Sequence, residues 1–190
     1  GDDSALALGF KAASVQGSNI LDVGTAMGDE NDTYASDKVV GALVTKIQAV
    51  KAASPGASVD LTDTSVLKEV FVAAAEAAEQ TVDESVMDAA SSQLGALNNA
   101  IKTLVEQGGD GAALLDSINS ITRVAQTNLA DNVKVAKADP TKVALVQFYN
   151  DAAIASAKAD IEADLATFEE AKAERKADAG KTFGGIDFED

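Results

Sequence analysis

Apolar residues recur every three or four positions along most of the chain, which is the spacing of an amphipathic α-helix. The first clear stripe predicts a helix from about residue 36 to residue 53. Ser54-Pro55-Gly56 ends this helix, because proline disfavours helical backbone in the residue before it and glycine permits positive φ. The stripe consists of Val39, Val40, Leu43, Val44, Ile47 and Val50.

Two further helices are predicted in the middle of the chain. One begins near Thr62 or Asp63, at a point where an acidic side chain can cap it. The next begins at Thr81, whose side chain forms a capping box with that of Glu84. This helix ends at the glycine pair that starts with Gly108, which is a strong stop signal.

The second half of the chain continues the helical spacing. A fourth helix starts near Asp110, and its pattern weakens around Asp131. Asp139 and Pro140 then form a good helix opening, with the aspartate as cap and the proline in the first turn. The last helix is predicted to run from there to about residue 177.

The two ends of the chain follow a different pattern. Their bulky apolar residues lie outside the helical stripes, and those near the start alternate at period two. We therefore predict an extended arm over residues 1–18, a helical bundle over 19–178 and an extended tail over 179–190. These ends either pack on the bundle or pair as strands with each other or with a neighbouring module. The apolar residues concerned are Leu6, Leu8, Phe10, Phe183, Ile186 and Phe188.

Five or six helices with short connections predict an all-α, up-and-down bundle with strand-like terminal segments. The composition agrees, since 38 of the 190 residues are alanine and only 4% are aromatic. Such a core suits closely packed helices better than a β-sandwich, which draws on aromatic and β-branched residues.

Charge and missing residue types exclude several classes of function. The chain has 15 Lys and Arg against 31 Asp and Glu, a net charge of −16, and no His or Cys. It therefore lacks the residues of Ser-His-Asp and Cys-His catalysis and of zinc, haem and iron–sulfur sites. Nucleic acid is not an expected partner, because its phosphates repel an acidic chain. Membrane insertion is not expected either, because no apolar run approaches the length of a membrane span.

One acidic loop is the candidate metal site. Asp29, Asn31, Asp32 and Asp37 supply carboxylate and amide oxygens at close spacing, which suits Ca²⁺. The loop departs from the EF-hand pattern, because Tyr34 stands where that pattern has glycine. The alternative is a solvated turn, with Asp37 near the start of the next helix. Calcium is the one cofactor that the sequence suggests.

Four segments resemble helical parts of very large secreted bacterial surface proteins, the adhesins that carry cadherin-like or RTX-type calcium-binding repeats. The segments are Ser18–Asp29, Val39–Val44, Ala57–Asp63 and Ile121–Gln126, within a resemblance that covers about residues 18–130. The resemblance implies an extracellular adhesion or matrix setting with calcium nearby. The glycine- and aspartate-rich nonapeptide repeats of RTX proteins are absent from this chain.

The leading hypothesis is a non-enzymatic structural or interaction module of a secreted or cell-surface bacterial protein. It would act in adhesion or extracellular assembly, through protein partners or self-association at its surface and termini. The alternative is a helical binding protein for a small molecule or peptide, with a pocket near Phe148, Tyr149 and Arg123. The guanidinium of Arg123 suits an anionic ligand, although such a residue also pairs with nearby carboxylates. An enzyme is the third hypothesis.

Overall fold

Six α-helices account for most of the chain that the computed structural model describes, namely residues 3–28, 35–108 and 111–147 with Ala159, Ala163 and Glu170. A π-helical segment, Val124–Leu129, joins the fifth helix to the sixth, and a 3-10 helix, Pro140–Leu145, follows. These described ranges contain no β-strand, so the predicted all-α class is confirmed. The helices are α1 (Asp3–Ala26), α2 (Ala35–Ala53), α3 (Thr64–Ala77), α4 (Glu84–Gln107), α5 (Gly111–Arg123) and α6 (Ala130–Ala138).

Successive helices from α1 to α5 pack against one another, as the predicted bundle requires. Helix α1 also contacts α4, α5, the π-helical segment and α6, and so lies at the centre of the arrangement. The buried core is built almost entirely from Ala, Val, Leu and Ile, with Phe71 as its largest fully buried side chain. Few aromatic residues are needed, because small side chains let the helices approach closely.

The predicted extended arm over residues 1–18 is wrong where the structure describes it, because residues 3–18 belong to α1. The alternation of Leu8 and Phe10 does not reflect a strand: Leu8 is half-buried, and Phe10 is 79% exposed. The buried positions of α1 instead follow helical spacing, but two of them are the polar residues Gln16 and Asn19. Because these two residues are polar, they interrupt the apolar stripe, and the sequence pattern does not indicate a helix there. The apolar members of this stripe are Ala12, Val15, Ile20, Val23 and Ala26.

Aspartates cap three of the helical segments. The Asp63 carboxylate accepts a hydrogen bond from the backbone N–H of Ser65 at 2.8 Å and starts α3, as predicted. Helix α4 is capped by Asp83, which accepts from the Ser85 N–H at 2.9 Å. The predicted capping box at Thr81 is therefore wrong by two residues.

The third aspartate cap lies at Asp139, which accepts from the Thr141 N–H at 3.2 Å. It opens the 3-10 helix Pro140–Leu145 rather than an α-helix. Of the predicted last helix beyond this point, Ala159, Ala163 and Glu170 are helical and exposed. The rest of that helix and the predicted tail over 179–190 lie outside the described residues.

Two glycines in helices differ sharply in their surroundings, which predicts opposite effects of the same substitution. A methyl group on Gly24 would lie 2.8 Å from both Cγ atoms of Val39, whereas one on Gly41 would meet nothing within 4 Å. Gly41→Ala should raise the free energy of unfolding by about 0.5–1 kcal/mol through helix propensity. Gly24→Ala should lower it by about 1–3 kcal/mol through overpacking. Urea unfolding of both variants checks this, and equal effects would contradict the close packing of α1 on α2.

Candidate functional site

The predicted calcium loop lies mostly outside the described residues. Asp29, Asn31 and Asp32 lie outside the described residues. Asp37 is described and lies exposed in the first turn of α2. Within the described ranges, no group of three or more Asp and Glu side chains is close enough to hold a metal ion. Calcium binding at this loop stays a prediction.

The predicted interaction residues at the termini are only partly described. The side chain of Leu6 and the residues Phe183, Ile186 and Phe188 lie outside the described part. Phe10 is the most exposed large apolar residue among those described. Its position on α1 makes it a solvent-facing helical side chain and not part of a strand.

A network of buried carboxamides joins α1, α4 and the loop before α3. Asn98 on α4 is fully buried, and its Nδ2 donates to the Leu61 carbonyl oxygen at 2.8 Å. From α1, Gln16 Nε2 donates to the Asn98 carbonyl oxygen at 2.9 Å, and Asn19 Nδ2 donates to Asn98 Oδ1 at 3.2 Å. A buried polar group is costly unless it is hydrogen-bonded, so these contacts select one arrangement of the three elements.

The pattern of the sequence does not reveal this network. Asn98 is flanked by Leu97 and Ile101 on the apolar stripe of α4, and Asn19 directly precedes the buried Ile20. The available signal was a carboxamide standing within an apolar stripe at helical spacing. From the sequence alone such a residue is expected to face solvent. Its burial is explained only by the hydrogen bond between Asn19 and Asn98, which are 79 residues apart.

An open cleft lies beside the network, between α1, α4 and the loop. Its volume is about 330 Å³. Lys102 on α4 reaches across it, with its Nζ 3.5 Å from Asp60 Oδ2 on the loop. Hydrogen bonds from Thr62, followed by the charge of Lys102, hold the pKa of Asp60 below its usual value. The carboxylate is therefore ionised at the cleft, and its hydrogen bonds from Thr62 hold the turn before α3 in place.

A second polar cluster lies where α1 meets the π-helical segment. Asp22 is half-buried, and its Oδ2 is buried without a hydrogen-bond partner. Burial raises the pKa of Asp22, while hydrogen bonds with Gln126 and Ser18 oppose that shift. Gln126 Nε2 also donates to Ser18 Oγ at 3.1 Å. At this contact between α1 and the π-helical segment, burial therefore disfavours the ionised form of the Asp22 carboxylate.

The predicted pocket around Phe148, Tyr149 and Arg123 is described only at the arginine. Arg123 is the last residue of α5 and is exposed. Its backbone carbonyl accepts a hydrogen bond from Thr127 Oγ1 at 2.7 Å, at the start of the π-helical segment. The two aromatic residues lie outside the described part of the chain.

Comparisons with protein-family models, with curated proteins and with solved structures found no match for this chain. Among the described helices, none is both long enough and apolar enough to cross a membrane. Residue roles in this chain are therefore inferred from its own geometry and charge.

Asn98→Ala should lower the free energy of unfolding by roughly 3 kcal/mol, because it leaves the buried groups of Asn19 and Leu61 unpaired and opens a cavity. The matched control is Asn99→Ala, which removes the same side chain at an exposed position of α4. The control should change the free energy of unfolding by less than about 0.5 kcal/mol. Equal losses in urea unfolding would contradict the structural role of the network.

Asp22→Asn should stabilise the protein at pH 7 and not at pH 3. Because the pKa of Asp22 is raised in the folded state, the wild-type protein loses stability as pH rises above 3.8 and through that folded pKa. The uncharged variant escapes this loss. Urea unfolding at both pH values measures the difference from wild type, with Asp116→Asn at an exposed position of α5 as control. A stabilisation of equal size at both pH values would refute this explanation.

Proposed function

We propose that this chain is a structural and interaction module of a secreted or cell-surface bacterial protein, acting in adhesion or extracellular assembly. The resemblance of its helical segments to those of large surface adhesins supports the setting. The observation that carries the proposal is the outer face of α2. Of the six apolar residues in the predicted stripe of α2, only Val39 is buried.

Two other residues of that stripe are exposed and open to contact. Val40 and Val44 are 42% and 44% exposed, although they are one helical turn apart and could have faced a core. Leu43, Ile47 and Val50 are half-buried, and Leu43 packs against the core. Neighbouring apolar side chains that are exposed on one face are found at sites of protein–protein contact. We call the exposed side of Val40, Val44 and Lys51 the α2 face.

Charge favours an acidic partner for the α2 face. Three lysines against one aspartate give α2 a net charge of +2 in a chain whose total is −16. Lys46 forms an ion pair with Glu69 of α3, whereas Lys51 is exposed near the end of the helix. A second copy of the same chain presents a predominantly acidic surface, which complements this face electrostatically.

The contact we propose therefore joins the α2 face of one copy to an acidic surface of another. Such an interface uses two different patches, so it leaves a free patch at each end and can extend into a chain of copies. Open-ended association of this kind suits an extracellular assembly role. The affinity should fall with added salt, since exposed charges are screened.

Self-association of the purified protein tests the proposal. Light scattering over a concentration series should show association that Val40→Ser with Val44→Ser reduces, because the double variant removes the apolar part of the α2 face. The control is Val135→Ser on α6, which changes another exposed valine and should leave association unchanged. All three proteins are measured with and without Ca²⁺, which also tests the predicted loop site. A wild-type protein that stays monomeric under all these conditions would refute assembly through this face.

A further inference from the structure

The loop that borders the cleft contains a segment with the side-chain pattern of a β-strand. Ala57, Val59 and Leu61 are half-buried, and they alternate with the exposed residues Ser58 and Asp60. A period of two is the geometry of extended backbone, in which successive side chains point to opposite sides. Residues 57–60 are neither helical nor part of a turn, and Leu61 begins the turn that leads to α3. We call residues 57–60 the extended segment.

The middle of the extended segment has unused backbone hydrogen-bonding groups. The N–H of Ala57 donates to the Ser54 carbonyl oxygen, and the Leu61 carbonyl oxygen accepts from Asn98. Between these anchors, the N–H and C=O groups of Ser58 and Val59 form no hydrogen bond within the described part of the chain. Unpaired extended backbone is a template on which another extended chain can pair.

The cleft beside the segment has room for such a chain. Its α1 wall is formed by Gly9, Ala12 and Ala13, whose short side chains leave the space between the helix and the loop open. Its volume of about 330 Å³ lies within the range of about 300–1,000 Å³ that is typical of ligand clefts. Asn98 holds one end of the segment in place, so little order has to be gained on binding.

Charge in the cleft favours a basic residue in the ligand. Asp60 pairs with Lys102, but Glu106, which also lines the cleft, forms no ion pair within the described part of the chain. Glu106 lies one helical turn after Lys102 and is exposed. A lysine or arginine of the ligand can therefore meet this carboxylate.

We propose that the cleft between α1, α4 and the extended segment binds an extended peptide, which pairs with the backbone of Ser58 and Val59 and places a basic side chain against Glu106. The peptide adds one strand to the extended segment, by the backbone pairing used in β-strand addition. This site does not involve the α2 face, so it is independent of the proposed self-association.

Fluorescence anisotropy with a synthetic probe tests this binding. The probe is a fluorescein-labelled pentapeptide with the sequence threonine-valine-lysine-valine-threonine. Two matched probes carry either N-methyl groups on the central backbone amides or glutamate in place of lysine. The parent probe should bind the wild-type protein at least roughly tenfold more tightly than either of them, which corresponds to about 1.4 kcal/mol. Equal binding of the N-methylated probe would overturn backbone pairing.

Variants of the protein locate the binding to the cleft. Ala13→Trp fills the cleft from an exposed helical position and should weaken binding of the parent probe at least roughly tenfold. Ser14→Trp places the same side chain on the adjacent exposed position, which does not line the cleft, and should bind as wild type. Glu106→Gln should reduce the preference for lysine over glutamate in the probe.

No binding to the wild-type protein, or unchanged binding to Ala13→Trp, would refute the site. The Val40→Ser and Val44→Ser double variant should bind the probe normally, which separates this outcome from that of self-association.

Discussion

The hydrogen bonds of one buried side chain, that of Asn98, fix the relation of α1, α4 and the loop before α3. Apolar contacts among Ala, Val, Leu and Ile favour burial but are not directional, so they allow one helix to slide along another at little cost. The carboxamide of Asn98 removes that freedom, since a shift of one turn would leave the Leu61 carbonyl oxygen and the Asn19 amide unpaired in the core. The position of the extended segment at the cleft depends on the same bonds.

Most of the helical architecture could be predicted from the spacing of apolar residues, because α3 to α5 each have an apolar stripe that faces the core. Helix α2 has the same spacing, although only Val39 of its stripe is buried. Residues 3–18 of α1 could not be predicted, because Gln16 and Asn19 occupy buried positions of the α1 stripe and are polar. The predicted cap of α4, Thr81, lies two residues before the observed cap, Asp83, because both residues fit the local capping rule and only the path of the chain decides between them. The cleft was beyond prediction for the same physical reason as the network. Its walls come from residues that are distant in sequence, and the bonds that align them are tertiary.

The charged residues of the chain fall into two groups, those that stabilise local structure and those that are available for contact with a partner. Asp60, Asp63, Asp83 and Asp139 all accept backbone N–H groups at turns or helix starts, so part of the negative charge stabilises local structure. Helix α2 stands apart from this pattern, because it carries a positive balance together with exposed valines. Charge alone therefore does not describe the surface, and the contrast between α2 and the acidic remainder gives the molecule two unlike sides.

The π-helical segment also constrains how the length of this chain can change. Its backbone closes hydrogen bonds over five residues, as between the Ala130 N–H and the Ala125 carbonyl oxygen, so it contains more residues per turn than the α-helices on either side. This explains why the apolar pattern weakens near Asp131. Removing a single residue there would let the segment return to ordinary α-helical winding, because its wider turn accommodates one extra residue. Val133 and Ala136 would keep their buried positions, so a relative that is one residue shorter at this point can keep the same apolar face in its sixth helix.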